Sequence, residues 1–456
     1  MEQTQQGNLA EGPILKVLMR LAMPIMASAF LMTAYNITDM AFIGMLGSKA
    51  VAGVGVGGMF IWLSQGFSNL ARMGGQVHVG QCLGKGDKAG AKEYVTATLQ
   101  LGIILGLIFG GICVIFADPI VRLFGLTDVY TIEAARLYLQ ITCGLIVFSY
   151  ISAILTGLYT AQGDSKTPML ANMAGLLINL VMNPVLIFGI GPFPRMEVVG
   201  AAVATVFAQI VVAALMVGTV CLSKTEENIL KNVSVFCKPA GDVIGRVFRM
   251  GLPTALQSML YCGISMVLTR FISDFGEAAI AVQKVGGQIE SISWNVADGF
   301  ATAMNAFAAQ NFGAGKMDRV KKGYHISAVT VVVWGAIIGI LFILFPGQIS
   351  AIFFHEAEVI PIFVTYLIVV GISEPFMCLE LMTSGAISGL GNTKLASIIS
   401  IILTSLRIPL AYVLSHTAMG LDGIWWALTL TSVAKGIVFF GAFHWDAGKK
   451  HGNIVD

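Results

Sequence analysis

Six runs of this chain, 94–117, 137–163, 167–194, 198–223, 250–269 and 323–355, contain no Asp, Glu, Lys or Arg at all. Each reaches the ~20 mostly apolar residues that a helix needs to cross a bilayer. Six more, roughly 21–46, 50–81, 278–310, 359–384, 395–415 and 420–443, carry interior charges yet keep that length. So much apolar chain cannot be buried in a water-soluble core. Of 456 residues, 56% are hydrophobic and 11% charged, against about 45–50% and about 25% in soluble domains. A globule of this size needs a polar surface that this composition does not supply. A soluble enzyme, a disordered chain and a disulfide scaffold are excluded together. The expected fold is an all-α polytopic membrane protein with twelve transmembrane helices.

The placement of charge orients those helices. With a cytoplasmic N-terminus, the inner segments collect most of the lysines and arginines, among them Lys16, Lys85, Lys88, Lys92, Lys316, Lys321, Lys322, Lys449 and Lys450. The outer loops carry Lys49, Arg122, Arg136 and Arg195. This bias puts both termini in the cytoplasm and the chain in the cell inner membrane. The first twenty residues lack the apolar core and small-residue cleavage site of a secretory leader. A net charge of +2 offers no broad basic surface to nucleic acid. The turns at 83–90 and 312–318 lack the GxxxxGK[ST] order that cradles phosphates, so no nucleotide is expected. The run GVGVGG at 53–58 opens a membrane helix with no βαβ unit around it and reads as close helix packing. Seven cysteines without CxxC spacing read as packing residues. The histidines at 78, 325, 355, 416, 444 and 451 show no metal-like spacing and read as solvated or lightly bonded side chains.

The two halves of the chain repeat. At an offset of 229, Pro24/Pro253, Gly47/Gly276, Gly57/Gly286, Gln81/Gln310, Gly86/Gly315 and Lys92/Lys321 are identical; at 228, Tyr138/Tyr366, Gly157/Gly385, Gly163/Gly391 and Lys166/Lys394 are. A shared offset that falls at matching helix ends and loops points to duplication. Six helices per copy, an even number, give both copies one orientation, related by a pseudo-two-fold axis along the membrane normal. The expected division is a lobe at 1–223, a cytoplasmic linker at 224–249, a second lobe at 250–446 and a tail at 447–456. Two bundles on one strap suit a transporter.

Ionisable groups at membrane depth cost at least about 2.5–3.5 kcal/mol each and mark function by default. In the first half the clear one is Asp39, with Tyr35 one turn earlier on the same face. Loss of water penalises the carboxylate form, which favours proton uptake; the plainer alternative is a structural ion pair with Arg72. The fifth span carries Asn179 and Asn183 one turn apart, then Pro184, which frees a carbonyl and kinks the helix. Thr205 on the sixth adds a hydroxyl. Together they form an oxygen-rich nook for a proton or a small hard cation such as Na+, or else amide glue between helices. In the second half Glu290, Trp294 and Asp298 share a face that suits a lipophilic cation. Glu374, Glu380 and Arg407 follow. The alternative there is that the acids form buried salt bridges with Lys284 and Arg407.

Six segments in order resemble the multidrug and toxic compound extrusion (MATE) transporters: YNITDMAFIGMLGSKAVAGVG (35–55), GQCLGKGD (80–87), GDSKTPMLANMAGLLINLVMNPVLIFGIG (163–191), VGAAVATVFAQ (199–209), QNFGAGKMDRV (310–320) and SGAISGLGNTK (384–394). The resemblance implies a secondary active antiporter, not an enzyme, that exports cationic or amphipathic small molecules as protons or sodium ions enter by alternating access. It implies no cofactor, and a monomer in the lipid bilayer is expected. Asp39 and Tyr35 look like the family's first-helix coupling pair, Asn179 like its fifth-helix asparagine and Thr205 like its sixth-helix hydroxyl. Asn183 departs from many relatives of the DNA-damage-inducible (DinF-like) branch, which have aspartate there. One fewer carboxylate favours a proton over sodium. The seventh span, QSMLYCGISMVL (257–268), also lacks the acid of another branch. The alternative function is a lipid or lipid-linked oligosaccharide flippase of the same superfamily.

Overall fold

The structure, a computed structural model, describes residues 8–122, 124, 128–222, 229–231, 233, 242–354 and 356–455. Every regular element among them is a helix. The first eight are α1 (Ile14–Gly44), α2 (Ser48–Lys85), α3 (Lys88–Ile115), the short α4 (Ala117–Arg122), α5 (Val129–Gly144), α6 (Val147–Ala161), α7 (Lys166–Phe188) and α8 (Glu197–Leu222). The second eight are α9 (Val243–Ser273), α10 (Glu277–Gly313), α11 (Met317–Leu344), the short α12 (Pro346–Phe353), α13 (Val359–Gly389), α14 (Thr393–Ser405), α15 (Arg407–Ser415) and α16 (Leu421–Val455). Ten helices among the described residues are long and apolar enough to cross a membrane, and eleven if α5 and α6, bent by 46° at their break, make one span. The span expected at 278–310 is α10. It is a single helix of 37 residues, but its charges together with polar residues such as Asn295 and Asn305 make it too polar for that count. The expected kink at Pro184 leaves α7 one helix.

The chain forms two compact units. One is Ala27–Ala255; the other combines Leu9–Met26 with Leu256–Asp456. Both boundaries fall inside a helix, two residues after Pro24 in α1 and two residues after Pro253 in α9, so the first turns of α1 are counted with the second unit. Helix α9 already begins at Val243, within the expected 224–249 linker. Most of that linker, including Lys224, Asn232, Cys237 and Lys238, lies outside the described residues, as do His355 and the side chain of His451.

In the first unit α2 packs along α3, α5 and α6, and α7 along α8. In the second, α10, α11 and α16 all pack on α13, around Phe300, Phe307, Tyr324, Ile387 and Phe443. The repeat is built into this packing. Gly47 and Gly276, Gly86 and Gly315, and Gly163 and Gly391 all have positive φ, at 105° and 98°, 77° and 72°, 82° and 86°. These are turns in which a side chain is strained. A Cβ on Gly57 would lie 2.7 Å from Tyr138 Cδ1, and one on Gly286 would lie 2.0 Å from Tyr366 Cε1, so each unit seats one tyrosine against one helix backbone. The GVGVGG run packs as expected, with Gly53 and Gly57 against α5 and Gly55 and Gly58 open. Outside the spans, Asp128 caps α5 by accepting from Thr131 N at 3.0 Å and pairs with Lys49 at 2.6 Å. The Lys49 bond first, then the two from Thr131, hold its carboxyl below the usual range.

Gly286→Ala should therefore cost about 1–3 kcal/mol through overpacking against Tyr366 and lower the apparent melting temperature in detergent. Gly287→Ala, which meets nothing within 4 Å, should leave it unchanged or slightly raised.

Candidate functional site

Asp39 sits in the last third of α1, five residues before its end at Gly44, half-buried. The nearby hydroxyls of Thr33 and Thr38 bond back to Ala29 O and Ala34 O of the same helix, and the bond that Asp39 accepts comes from another helix, α7. Asn183 Nδ2 donates to Asp39 Oδ1 at 2.5 Å and to Asn179 Oδ1 at 2.7 Å. Both asparagines are buried, 1% and 2% exposed.

The local sequence explains how these groups meet. Asp164 starts α7 by accepting from Lys166 N at 3.0 Å and Thr167 N at 3.1 Å. Two glycines then bring α7 and α8 close: a Cβ on Gly175 would strike Val212 and one on Gly200 would strike the backbone of Leu186. Small residues are what allow such approach in a membrane helix pair. Between those two contacts lie Asn179 and Thr205, joined by Asn179 Nδ2 to Thr205 Oγ1 at 3.5 Å. Tyr35 Oη reaches the same hydroxyl at 3.5 Å.

The five residues expected at this site, Tyr35, Asp39, Asn179, Asn183 and Thr205, thus converge in one unit. The alternative partner, Arg72, does not reach Asp39. Its Nε and Nη2 donate to Asn69 Oδ1 one turn earlier on α2, at 3.1 and 2.8 Å. No ion pair among the described residues includes Asp39. The carboxylate is held by a neutral amide, so it keeps its charge unbalanced by a cation and its capacity to take a proton. Asn183 Oδ1 is buried without a donor, one acceptor left open beside the carboxylate.

In the second unit the expected residues divide. Glu290 accepts from Tyr366 Oη, and Glu374, 1% exposed, lies beside Ser293 with Oε2 unpartnered. Glu380 forms a buried ion pair, Lys435 Nζ to Glu380 Oε1 at 2.7 Å. The alternative reading, in which the acids pair with Lys284 and Arg407, is not what forms here. Lys284 is exposed, and Arg407 donates instead to Thr431 Oγ1 at 3.0 Å and Ser432 Oγ at 2.9 Å. Helix α16 presents Lys435 to α13, which is why it reaches Glu380 first. Its signal in the sequence was its standing as the lone charge between Asp422 and Asp446. Trp294 is 45% exposed, and Asp298, on the same helix, is half-buried.

Fold and site define a duplicated, all-helical membrane protein with a buried carboxylate–amide cluster in its first unit. The MatE family model matches residues 24–185 and 253–413, one match in each half, and the chain belongs to that family. The probable multidrug resistance protein NorM of Thermotoga maritima is 27% identical over 439 residues, 95% of this chain and 93% of that protein. The probable multidrug resistance protein YoeA of Bacillus subtilis is 27% identical over 94% of this chain and 93% of its own. A crystal structure of a MATE protein in a bent conformation superposes with a TM-score of 0.91 at 21% identity, covering 100% of both chains.

Because the Glu380–Lys435 pair is buried, breaking it should cost more than removing it. Lys435→Met alone should destabilise by about 3–5 kcal/mol. Glu380→Gln combined with Lys435→Met should recover most of that loss, read as apparent melting temperature in detergent.

Proposed function

We propose that this chain is a secondary active efflux antiporter, exporting cationic or amphipathic small molecules in exchange for protons through alternating access. Twelve spans, both termini in the cytoplasm, residence in the inner membrane and a monomeric state are part of the same reading, as is the absence of enzymatic activity and of any cofactor. The relatives named as multidrug resistance proteins support the substrate class. The observation that carries the coupling is the bond from Asn183 Nδ2 to Asp39 Oδ1.

A carboxylate accepting from an amide makes a charge-assisted bond, roughly twice as strong as its neutral counterpart. When a proton binds Asp39, that bond weakens and the carboxyl gains a donor of its own. The link between α1 and α7 changes with it, and so does the relative energy of any two packings that differ in this contact. An ion can shift such an equilibrium only by its differential affinity for the two states, about 1.4 kcal/mol for each tenfold of coupling.

Sodium is a second reading, and one observation favours it. Asn183 Oδ1 is buried without a donor, and with Asp39, Asn179 and Thr205 it belongs to an all-oxygen donor set of the kind hard cations take. Within either reading, Glu290, Trp294, Asp298, Glu374, Arg72 and Arg407 are substrate or coupling candidates, whereas Glu380 is engaged with Lys435.

Ethidium accumulation in cells expressing the chain tests the role of Asp39. Wild type should keep accumulation low, and Asp39→Asn should raise it to the level of cells without the transporter. Low accumulation in the mutant, at equal expression, would remove Asp39 from the mechanism.

A further inference from the structure

His325 and His444 stand 119 residues apart in the sequence, on α11 and α16 of the second unit. The fold brings their rings together, with His325 Nε2 and His444 Nε2 at 3.4 Å and the ring planes at 78°. The bonding of the other ring nitrogens fixes the protons. His325 Nδ1 lies 2.7 Å from Lys321 O, and His444 Nδ1 lies 2.8 Å from Phe440 O. A backbone carbonyl has no proton to give, so each Nδ1 carries the hydrogen and donates it. In a neutral imidazole the other nitrogen is then a bare acceptor. Two acceptors face each other with nothing between them to share.

We propose that this pair is a binding site for a divalent transition metal, with Zn2+ or Cu2+ the class of ion that neutral imidazole takes. Three observations converge on it. A zinc–nitrogen bond is about 2.0–2.1 Å, so two nitrogens on one tetrahedral ion lie about 3.3 Å apart, close to the separation here. Metal-ligating histidines characteristically donate their second N–H to a backbone carbonyl, which sets tautomer and ring orientation before the metal arrives; both rings already do so. Both side chains are exposed, within about two helical turns of the lysine-bearing ends at Lys321–Lys322 and Lys449–Lys450, so an ion reaches them from water. The cluster of Tyr324, Phe440 and Phe443 behind them restrains both rings: Tyr324 stacks on Phe443 at 3.6 Å, and Phe440 lies 4.4 Å from His444. No third His, Cys, Asp or Glu among the described residues completes a cluster. Water therefore fills the remaining positions, and the ion clamps α11 to α16. The site is separate from the Asp39 cluster and lies wholly in the other unit.

Titration of the untagged full chain in detergent with Zn2+ by calorimetry, and with Cu2+ by electron paramagnetic resonance, tests this. Wild type should bind saturably and show nitrogen hyperfine structure from two imidazoles. His325→Ala and His444→Ala should each weaken binding at least about tenfold, the lower bound for losing even a supporting partner of such a site. His416→Ala, whose ring bonds Tyr412 O instead, should bind like wild type. Zn2+ should raise the apparent melting temperature of wild type and leave that of the double variant His325→Ala/His444→Ala unmoved. Absence of saturable binding, or binding unchanged in the double variant, would overturn the proposal. So would an imidazolium on one ring with no metal taken up, since the pair would then be sharing a proton.

Discussion

A single amide–carboxylate bond organises the first unit. Asn183 Nδ2 is shared between Asp39 on α1 and Asn179 on its own helix, and from Asn179 the chain of bonds continues to Thr205 and Tyr35. In a medium without water each of these groups must find its partner inside the protein, so the network and the helix contacts that build it constrain one another. The close approaches at Gly175 and Gly200 are required to bring Thr205 to Asn179, and Asn179 is required to complete the donor demands of Asn183. The partner's chemistry matters as much as its position. A guanidinium in place of the amide would neutralise Asp39 and fix it in one state, whereas an amide satisfies the carboxylate without neutralising it.

Duplication supplies the frame for this chemistry but not the chemistry itself. Tyr138 and Tyr366 press against Gly57 and Gly286 in the same way, and the positive-φ glycines recur at the same turns. At the repeat offsets, however, Asp39 corresponds to Leu268, Asn183 to Ala411 and Asn179 to Arg407. The second unit has no copy of the carboxylate–amide cluster. It carries instead a fully buried ion pair, Glu380 with Lys435, and an acid–tyrosine bond, Glu290 with Tyr366. A paired buried charge is costly to disturb, which suits a structural element.

Much of the architecture was legible in the sequence because charge-free length is a nearly sufficient signal for a membrane helix, and because identical residues at one offset report duplication without any knowledge of contacts. The first-unit cluster was legible for the same local reason: Tyr35 with Asp39, and Asn179 with Asn183, are each one turn apart and so share a face. Pairings between distant helices were not. Nothing along the chain distinguishes Arg407 from Lys435 as the partner of Glu380, since that depends on which face α16 turns to α13. The meeting of His325 and His444 was hidden for the same reason, because two isolated histidines have no spacing to read. Helix α10 also shows where composition fails, at a helix that carries polar and charged groups along its length.

In the proposed mechanism Asp39, held by an amide and not by a cation, exchanges a proton as part of transport. The most direct measurement is substrate movement in proteoliposomes under a pH gradient imposed without sodium, compared between wild type and Asp39→Asn. With Asp39 as the proton carrier, the pH gradient should drive transport in wild type and fail to do so in the variant. Transport driven by a sodium gradient alone at matched pH, or pH-driven transport that survives in Asp39→Asn, would contradict that mechanism.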